Sequence, residues 1–240
     1  MIEKETKKIQ KVMSELGYCS RREAEKLINN KKVIINEKIA NIGDRISNDD
    51  IIKVDGKIIN QKIQKIYLVF NKPRNTICTL KDPQGRKTIY EYINLKKYAY
   101  SIGRLDFNTT GIIIITNDGE FANKMAHPSS QILRTYIAKL EKELTNDELK
   151  YLNSQNVILN GKKSIQNVIK LNPLEYKITL SEGRNHHIKN LFLLVNNYVK
   201  ELHRKTFGIL TDKNLKIGEY RHITNEELEK LFLLVEKRDN

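Results

Sequence analysis

The run Ile112-Ile113-Ile114-Ile115-Thr116 constrains this chain more than any other stretch. A short, uninterrupted, β-branched run reads as a buried strand, so the chain must build a sheet with a real core. Immediately before it stand Gly103-Arg104-Leu105-Asp106 and Phe107-Asn108-Thr109-Thr110-Gly111. One carboxylate is therefore held in a glycine-flanked loop that leads into a rigid strand. An Asp so placed is well positioned for chemistry. Asp is also common in turns, where it bonds its own backbone, so the rest of the chain has to decide between the two readings.

The chain has 240 residues, enough for one large or two modest domains. With 30% charged and 39% hydrophobic residues it has a globular rather than a disordered profile. No apolar run approaches the roughly 20 residues of a membrane span, and the N-terminus resembles neither a secretory signal nor a transit peptide. Cys19 and Cys78 are the two cysteines, far apart, and suggest no disulfide framework and no zinc site. A reducing cytoplasm is the expected location. The formal charge of +14 and pI of about 9.6 point to a polyanionic partner, nucleic acid ahead of membrane lipid. Lysine enrichment can also arise from an AT-rich genome, so the placement of the charges matters more than their number.

Two blocks are visible. In the first, Ile9, Val12, Met13 and Leu16 recur at helical spacing, and Gly17 follows as a stop. Ser20 is the expected N-cap of a second helix, with Glu23 at the capping-box position. Strands are expected at Val33–Ile35, around Ile39–Ile42 and at Ile51–Val54. Arg21, Arg22, Lys26, Lys31 and Lys32 cluster on the second helix and its exit, where they form a phosphate-tracking surface. From Gln10 to Asp44 this block resembles the S4 RNA-binding domain, in which this helical face lies against structured RNA. S4 modules occur on several kinds of RNA-handling protein, so the resemblance implies RNA binding and leaves the reaction open.

Asn60–Lys65 is a polar connector, which gives expected domains of 7–60 and 66–240. In the second block, strands are expected at Tyr67–Phe70, Ile112–Thr116, Tyr136–Leu140, Val168–Leu171 and Tyr176–Leu180. Helices are expected at Glu120–Ala126, after the Thr145 cap, and at Asn185–Asn196. The expected class is α+β with much antiparallel sheet.

The usual enzyme templates are missing. There is no P-loop, no dinucleotide fingerprint and no Gly-x-Ser-x-Gly elbow. The five histidines lack metal-ligand spacing, and adjacent His186 and His187 would point about 100° apart on a helix. What remains is a reaction without metal or cofactor, in which a carboxylate is the chemical group. Arg184 opens a helix after a glycine and has the bidentate fork that grips a carboxylate or phosphate. Tyr136 brings a ring that can stack on a base. Lys72 ends the first strand of this block with a cation.

Taken together, Asn71-Lys72-Pro73, Lys81–Arg86, Ile102–Gly119, His127-Pro128, Arg134-Thr135-Tyr136, Ser181–Ile188 and Gly218–Arg221 resemble the RsuA/RluB-type pseudouridine synthases. These isomerise uridine in ribosomal RNA, and many members carry an N-terminal S4 domain, so the resemblance runs to nearly the full chain. It implies a small S4 (αL-like) domain and a catalytic domain with a mixed, largely antiparallel central sheet flanked by helices. It implies that Asp106 is the essential catalytic group, by covalent addition or by taking a sugar proton. Arg184 is similar to the arginine that pairs with this Asp and favours its ionised form. Tyr136 matches the tyrosine that stacks on the base, and Ile188 an apolar position of the pocket. Arg104 is placed to hold a phosphate of the flipped nucleotide, and Lys72 to add a backbone contact. The implied partner is ribosomal RNA or a pre-ribosomal particle, met by a monomer without cofactor, metal or membrane.

His187 and Lys189 depart from the Gln and Arg of many relatives, and Arg134 replaces a frequent Lys. The segment Ile77–Arg86 is closer to the large-subunit (RluB-type) branch, and Glu201-Leu202-His203-Arg204 to the small-subunit (RsuA-type) branch. The large subunit is the favoured reading and the small subunit the alternative. A non-catalytic S4 assembly factor is the reading from another class, and intact Asp106, Tyr136 and Arg184 argue against it.

Overall fold

The computed structural model describes residues 6–47, 49–59, 64–80 and 82–236. The expected connector lies partly outside these residues, as does Lys81. The chain forms two compact units. The first comprises 1–67, 95–100 and 116–119, and the second 68–94, 101–115 and 120–240.

In the first unit, α1 (Ile9–Glu15) and α2 (Arg21–Asn29) form the expected helix pair. Gly17, at φ 70°, follows the end of α1, and its N–H bonds the Ser14 carbonyl. Ser20 Oγ accepts from the Glu23 N–H at 3.1 Å and so caps α2. Strands β1 (Val33–Ile35), β2 (Lys38–Ile39), β3 (Ile52–Val54) and β4 (Lys57–Ile58) form an antiparallel sheet in the order β2-β1-β3-β4. The strand expected at Ile39–Ile42 is shorter, because Ala40 turns in to bond Val33 and joins the core. Ile9, Met13, Ala24, Ile28, Val33 and Val54 pack together, which commits one face of each helix to the sheet. Arg21, Arg22, Lys26, Lys31 and Lys32 all remain exposed. Two segments from later in the chain complete this unit, with the Tyr98 N–H bonding the Gly17 carbonyl at 2.8 Å.

The second unit is built on one sheet. Its strands are β5 (Tyr67–Lys72), β6 (Thr109–Thr116), β7 (Arg134–Leu140), the hairpin β8 (Ile158–Leu159) and β9 (Lys162–Lys163), which forms a small sheet of its own, then β10 (Gln166–Lys170), β11 (Glu175–Leu180), β12 (Val199–Phe207), β13 (Leu210–Thr211) and β14 (Tyr220–His222). The main path runs β10-β11-β7-β12-β6-β5-β14, with β13 on β12. The β12–β6 pair is parallel, whereas β10–β11, β11–β7, β7–β12, β12–β13 and β14–β5 are antiparallel. The sheet is thus mixed and largely antiparallel, as the resemblance implies. Helices α3 (Gly119–Ala126), α4 (Asn146–Leu152), α5 (His187–Leu193) and α6 (Asn225–Glu236) flank it.

Thr145 caps α4 with a reciprocal capping box to Glu148. Phe121 of α3 and Phe232 of α6 meet with ring centroids 5.2 Å apart. Ile112, Ile113, Ile114 and Ile115 are all fully buried, as a strand covered on both faces requires. Among the described residues, no helix is long and apolar enough to cross a membrane.

Candidate active site

The loop from Ile102 to Thr109 enters β6 and is held by its main chain. Lys72, at the end of β5, is fully buried. Its ammonium donates to the carbonyls of Pro73 (3.1 Å), Asp106 (3.0 Å), Phe107 (3.4 Å) and Thr109 (2.8 Å). The Thr109 N–H bonds the Asp106 carbonyl at 3.0 Å, and Cys78 Sγ lies 3.5 Å from the Leu105 N–H. Gly103 turns the loop at φ 69°, a conformation few other residues adopt. With its backbone fixed, the loop presents the Asp106 side chain to a cavity of about 480 Å³.

Lys72 is therefore no contact for substrate phosphate. The expectation of an RNA-binding role is corrected by its burial and by the four carbonyls that occupy its ammonium. Burial also lowers its pKa to about 8, partly offset by nearby Cys78 and Asp106.

The cation beside Asp106 is Lys189, not Arg184. Lys189 Nζ donates to Asp106 Oδ2 at 2.6 Å, and His186 Nε2 lies 3.6 Å from Oδ1. His186 precedes α5 at φ 51°, and Lys189 follows three residues on, so both side chains turn toward the same carboxylate. Arg184 instead grips Glu182 with two bonds of 2.9 Å and donates to the carbonyls of Leu159, Lys162 and Lys163. It fastens the loop before α5 to the β8–β9 hairpin, and its donors are spent there. The expected pairing of Arg184 with Asp106 is thus not formed, because the hairpin carbonyls and Glu182 hold the guanidinium.

Tyr136 is buried in β7, lines the cavity, and faces Arg204 across the β7–β12 pair. Leu180 and Ile188, both buried, supply further apolar wall. Arg104 is exposed at the rim.

His187 is buried and hydrogen-bonded inward. Gln166 donates its amide to the Leu152 carbonyl, so its Oε1 accepts from Ser164 Oγ at 2.6 Å. Ser164 in turn accepts from His187 Nε2 at 2.7 Å, and this fixes the imidazole tautomer. Burial lowers the His187 pKa and favours its neutral form.

Two residues of the cavity, Lys189 and Arg204, carry no assigned role in the sequence pattern. Lys189 enters the sequence reading only as a departure from the family pattern, although His186 and Lys189, three apart at the start of α5, are a pair that can share one partner. Arg204 is 3% exposed and lines the cavity. Nothing in its neighbourhood marked a buried cation. Among the described residues, no three His, Cys, Asp or Glu side chains come together as a metal would need.

A family model described as RNA pseudouridylate synthase matches residues 66–194, and one described as S4 domain matches residues 7–52. The chain is 34% identical to ribosomal large subunit pseudouridine synthase B of Bacillus subtilis, over 97% of this chain and 98% of that protein. It is 36% identical to the protein of the same name from Buchnera aphidicola subsp. Schizaphis graminum, over 96% and 95%. A solved structure described as a pseudouridylate synthase superposes with a TM-score of 0.68 at 28% identity, covering 93% of this chain and 99% of that one.

Proposed function

The chain belongs to the RNA pseudouridylate synthase family and carries an S4 domain, and on that premise we propose that it isomerises one uridine of large-subunit ribosomal RNA to pseudouridine. The large-subunit choice is supported by the names of the Bacillus and Buchnera relatives, which match over almost their whole length. In this reading the S4 domain spans 7–60 and the catalytic domain 66–240. The single observation that carries the reading is Asp106, on a main-chain-clamped loop, facing a cavity and paired with Lys189 at 2.6 Å.

The reaction breaks the C1′–N1 bond, turns the uracil and joins C5 to C1′. Atoms and oxidation state are conserved, so the chemistry calls for no cofactor. Both routes open to Asp106, addition to the substrate and removal of a sugar proton, use the ionised carboxylate. Lys189 supplies the opposite charge, and the Lys72 clamp fixes the main chain behind it. The base stacks on Tyr136 against Ile188, with Arg104 at the rim for a phosphate of the flipped nucleotide. Unstacking that nucleotide costs a few kcal/mol. The exposed cations Arg21, Arg22, Lys26, Lys31 and Lys32 contribute RNA affinity that offsets it.

Pseudouridine mapping of both ribosomal RNAs in a deletion strain tests the reading: one large-subunit uridine should lose its modification. A lost small-subunit site would move the assignment to the alternative branch. Complementation with Asp106→Asn should restore no modification, while the purified variant binds the RNA within about twofold of wild type, since only an acceptor charge is removed. An active Asp106→Asn protein would refute the catalytic assignment.

A further inference from the structure

We propose that Arg204 supplies the positive charge that holds the uracil ring while it is detached from the sugar. The inference rests on the reading above, in which the base stacks on Tyr136. Arg204 brings a guanidinium to the cavity, yet it is 3% exposed. Nε donates to the Ile112 carbonyl at 2.6 Å, Nη1 lies 3.5 Å from Tyr136 Oη, and Nη2 has no partner. The guanidinium carbon is 5.1 Å from the Phe207 ring centroid and 6.0 Å from that of Tyr136. Among the described residues no carboxylate is bonded to it.

An unpaired buried cation is costly and is ordinarily matched by a negative group. The two carboxylates that line the cavity are already engaged, Asp106 by Lys189 and Glu182 by Arg184. A second guanidinium, Arg134, lies 4.8 Å from the same Phe207 ring, with its Nη1 spent on the Ile132 and Ser181 carbonyls. The floor of the cavity is therefore short of negative charge.

The backbone is shaped to put Arg204 there. Gly111 lies directly opposite in β6, at φ 113°, where a Cβ would stand 2.3 Å from the Arg204 carbonyl oxygen. On the other side, a bulge between Thr135 and Tyr136 sets Arg204 across from Tyr136.

The substrate brings the missing charge. When the C1′–N1 bond breaks, its electron pair stays on N1 and spreads over O2 and O4 of the ring. The ring is an anion until C5 bonds to C1′, after which the C5 proton leaves and N1 regains one. Arg204 acts on that anion across the Tyr136 ring, as a positioning residue whose charge favours the bond-broken state.

The test compares single-turnover loss of the N-glycosidic bond in two RNAs, one with uridine and one with 5-fluorouridine at the mapped position. The fluorinated base is the weaker base at N1 and leaves with less help. Arg204→Met should slow the uridine RNA roughly 50-fold, as expected for one charge at this range in a partly screened interior. The loss on the fluorouridine RNA should be smaller, on the order of tenfold. Arg204→Lys keeps the charge and should stay within about fivefold of wild type on both RNAs. Equal losses on the two RNAs, or a Lys variant as slow as the Met variant, would overturn the inference. Removing a lone buried cation should not lower the melting temperature. If the Met variant nevertheless fails to fold, Arg204→Gln, which can still donate to the Ile112 carbonyl, is measured in the same way. A wild-type protein that forms no pseudouridine in either ribosomal RNA would refute the functional reading before any variant is made.

Discussion

At the scale of single residues, the site depends on which cation stands where. Lys72, Arg184 and Lys189 all carry positive charge near one loop, and each does something different. Lys72 faces only carbonyl oxygens, Arg184 ties a loop to a hairpin, and Lys189 meets the carboxylate. The sequence could show that these cations were present, but not their partners. The Lys189–Asp106 contact joins residues 83 apart, and only the folded chain brings them together. Lys72 also has a pH signature. Its pKa of about 8 lies below the ordinary lysine value because the group is buried. Above about pH 8 the folded protein therefore gives up a proton that the unfolded chain keeps until near 10.5. On this group's account stability rises with pH across that window, while the charge that grips the Asp106 loop is lost. Pseudouridine formation should fall as pH passes about 8, with no matching fall in melting temperature due to Lys72. A rate that stays level to about pH 9.5 would show that the ammonium charge is not needed.

At the scale of elements, β6, β7 and β11 were legible because their residues follow the period of a buried strand. β12 was not, although it is nine residues long and central. Its buried positions are Leu202, Arg204 and Phe207. The spacing changes from two to three because the bulge inserts a residue, and one of the three is an arginine. Both facts defeat a reading based on apolar alternation. The hairpin β8–β9 was missed for a similar reason, since it is short and half of it is lysine. The parallel contact between β12 and β6 depends on Gly111, where neither the space nor the backbone angle admits a side chain. Gly111→Ala should destabilise the protein by about 3 kcal/mol or more, read from chemical denaturation. A loss under about 1 kcal/mol would mean that the two strands can part at little cost.

At the scale of the whole molecule, charge and connectivity matter most. The excess of +14 is not spread evenly in its effect, because five exposed cations sit on or just after α2. Lys26 and Lys32 have acidic neighbours, Glu23 at 3.9 Å and Asp55 at 3.4 Å, and such exposed pairs are weak. Neutralising Arg22, Lys26 and Lys31 together should weaken RNA binding. It should also reduce the slope of log affinity against log salt by roughly two to three. An unchanged slope would remove this face from the RNA contact. Point changes are the better test than truncation after residue 60, since 95–100 and 116–119 belong to the same compact unit as the N-terminal residues. That interleaving has a consequence for how such a protein can diversify. A module encoded by one unbroken stretch can be lost, borrowed or exchanged between genes at a single junction. Here the chain enters the first unit three separate times. Replacing the N-terminal stretch alone would leave two later stretches fitted to a neighbour that is gone, so an exchange of this unit in this chain has to change all three stretches at once.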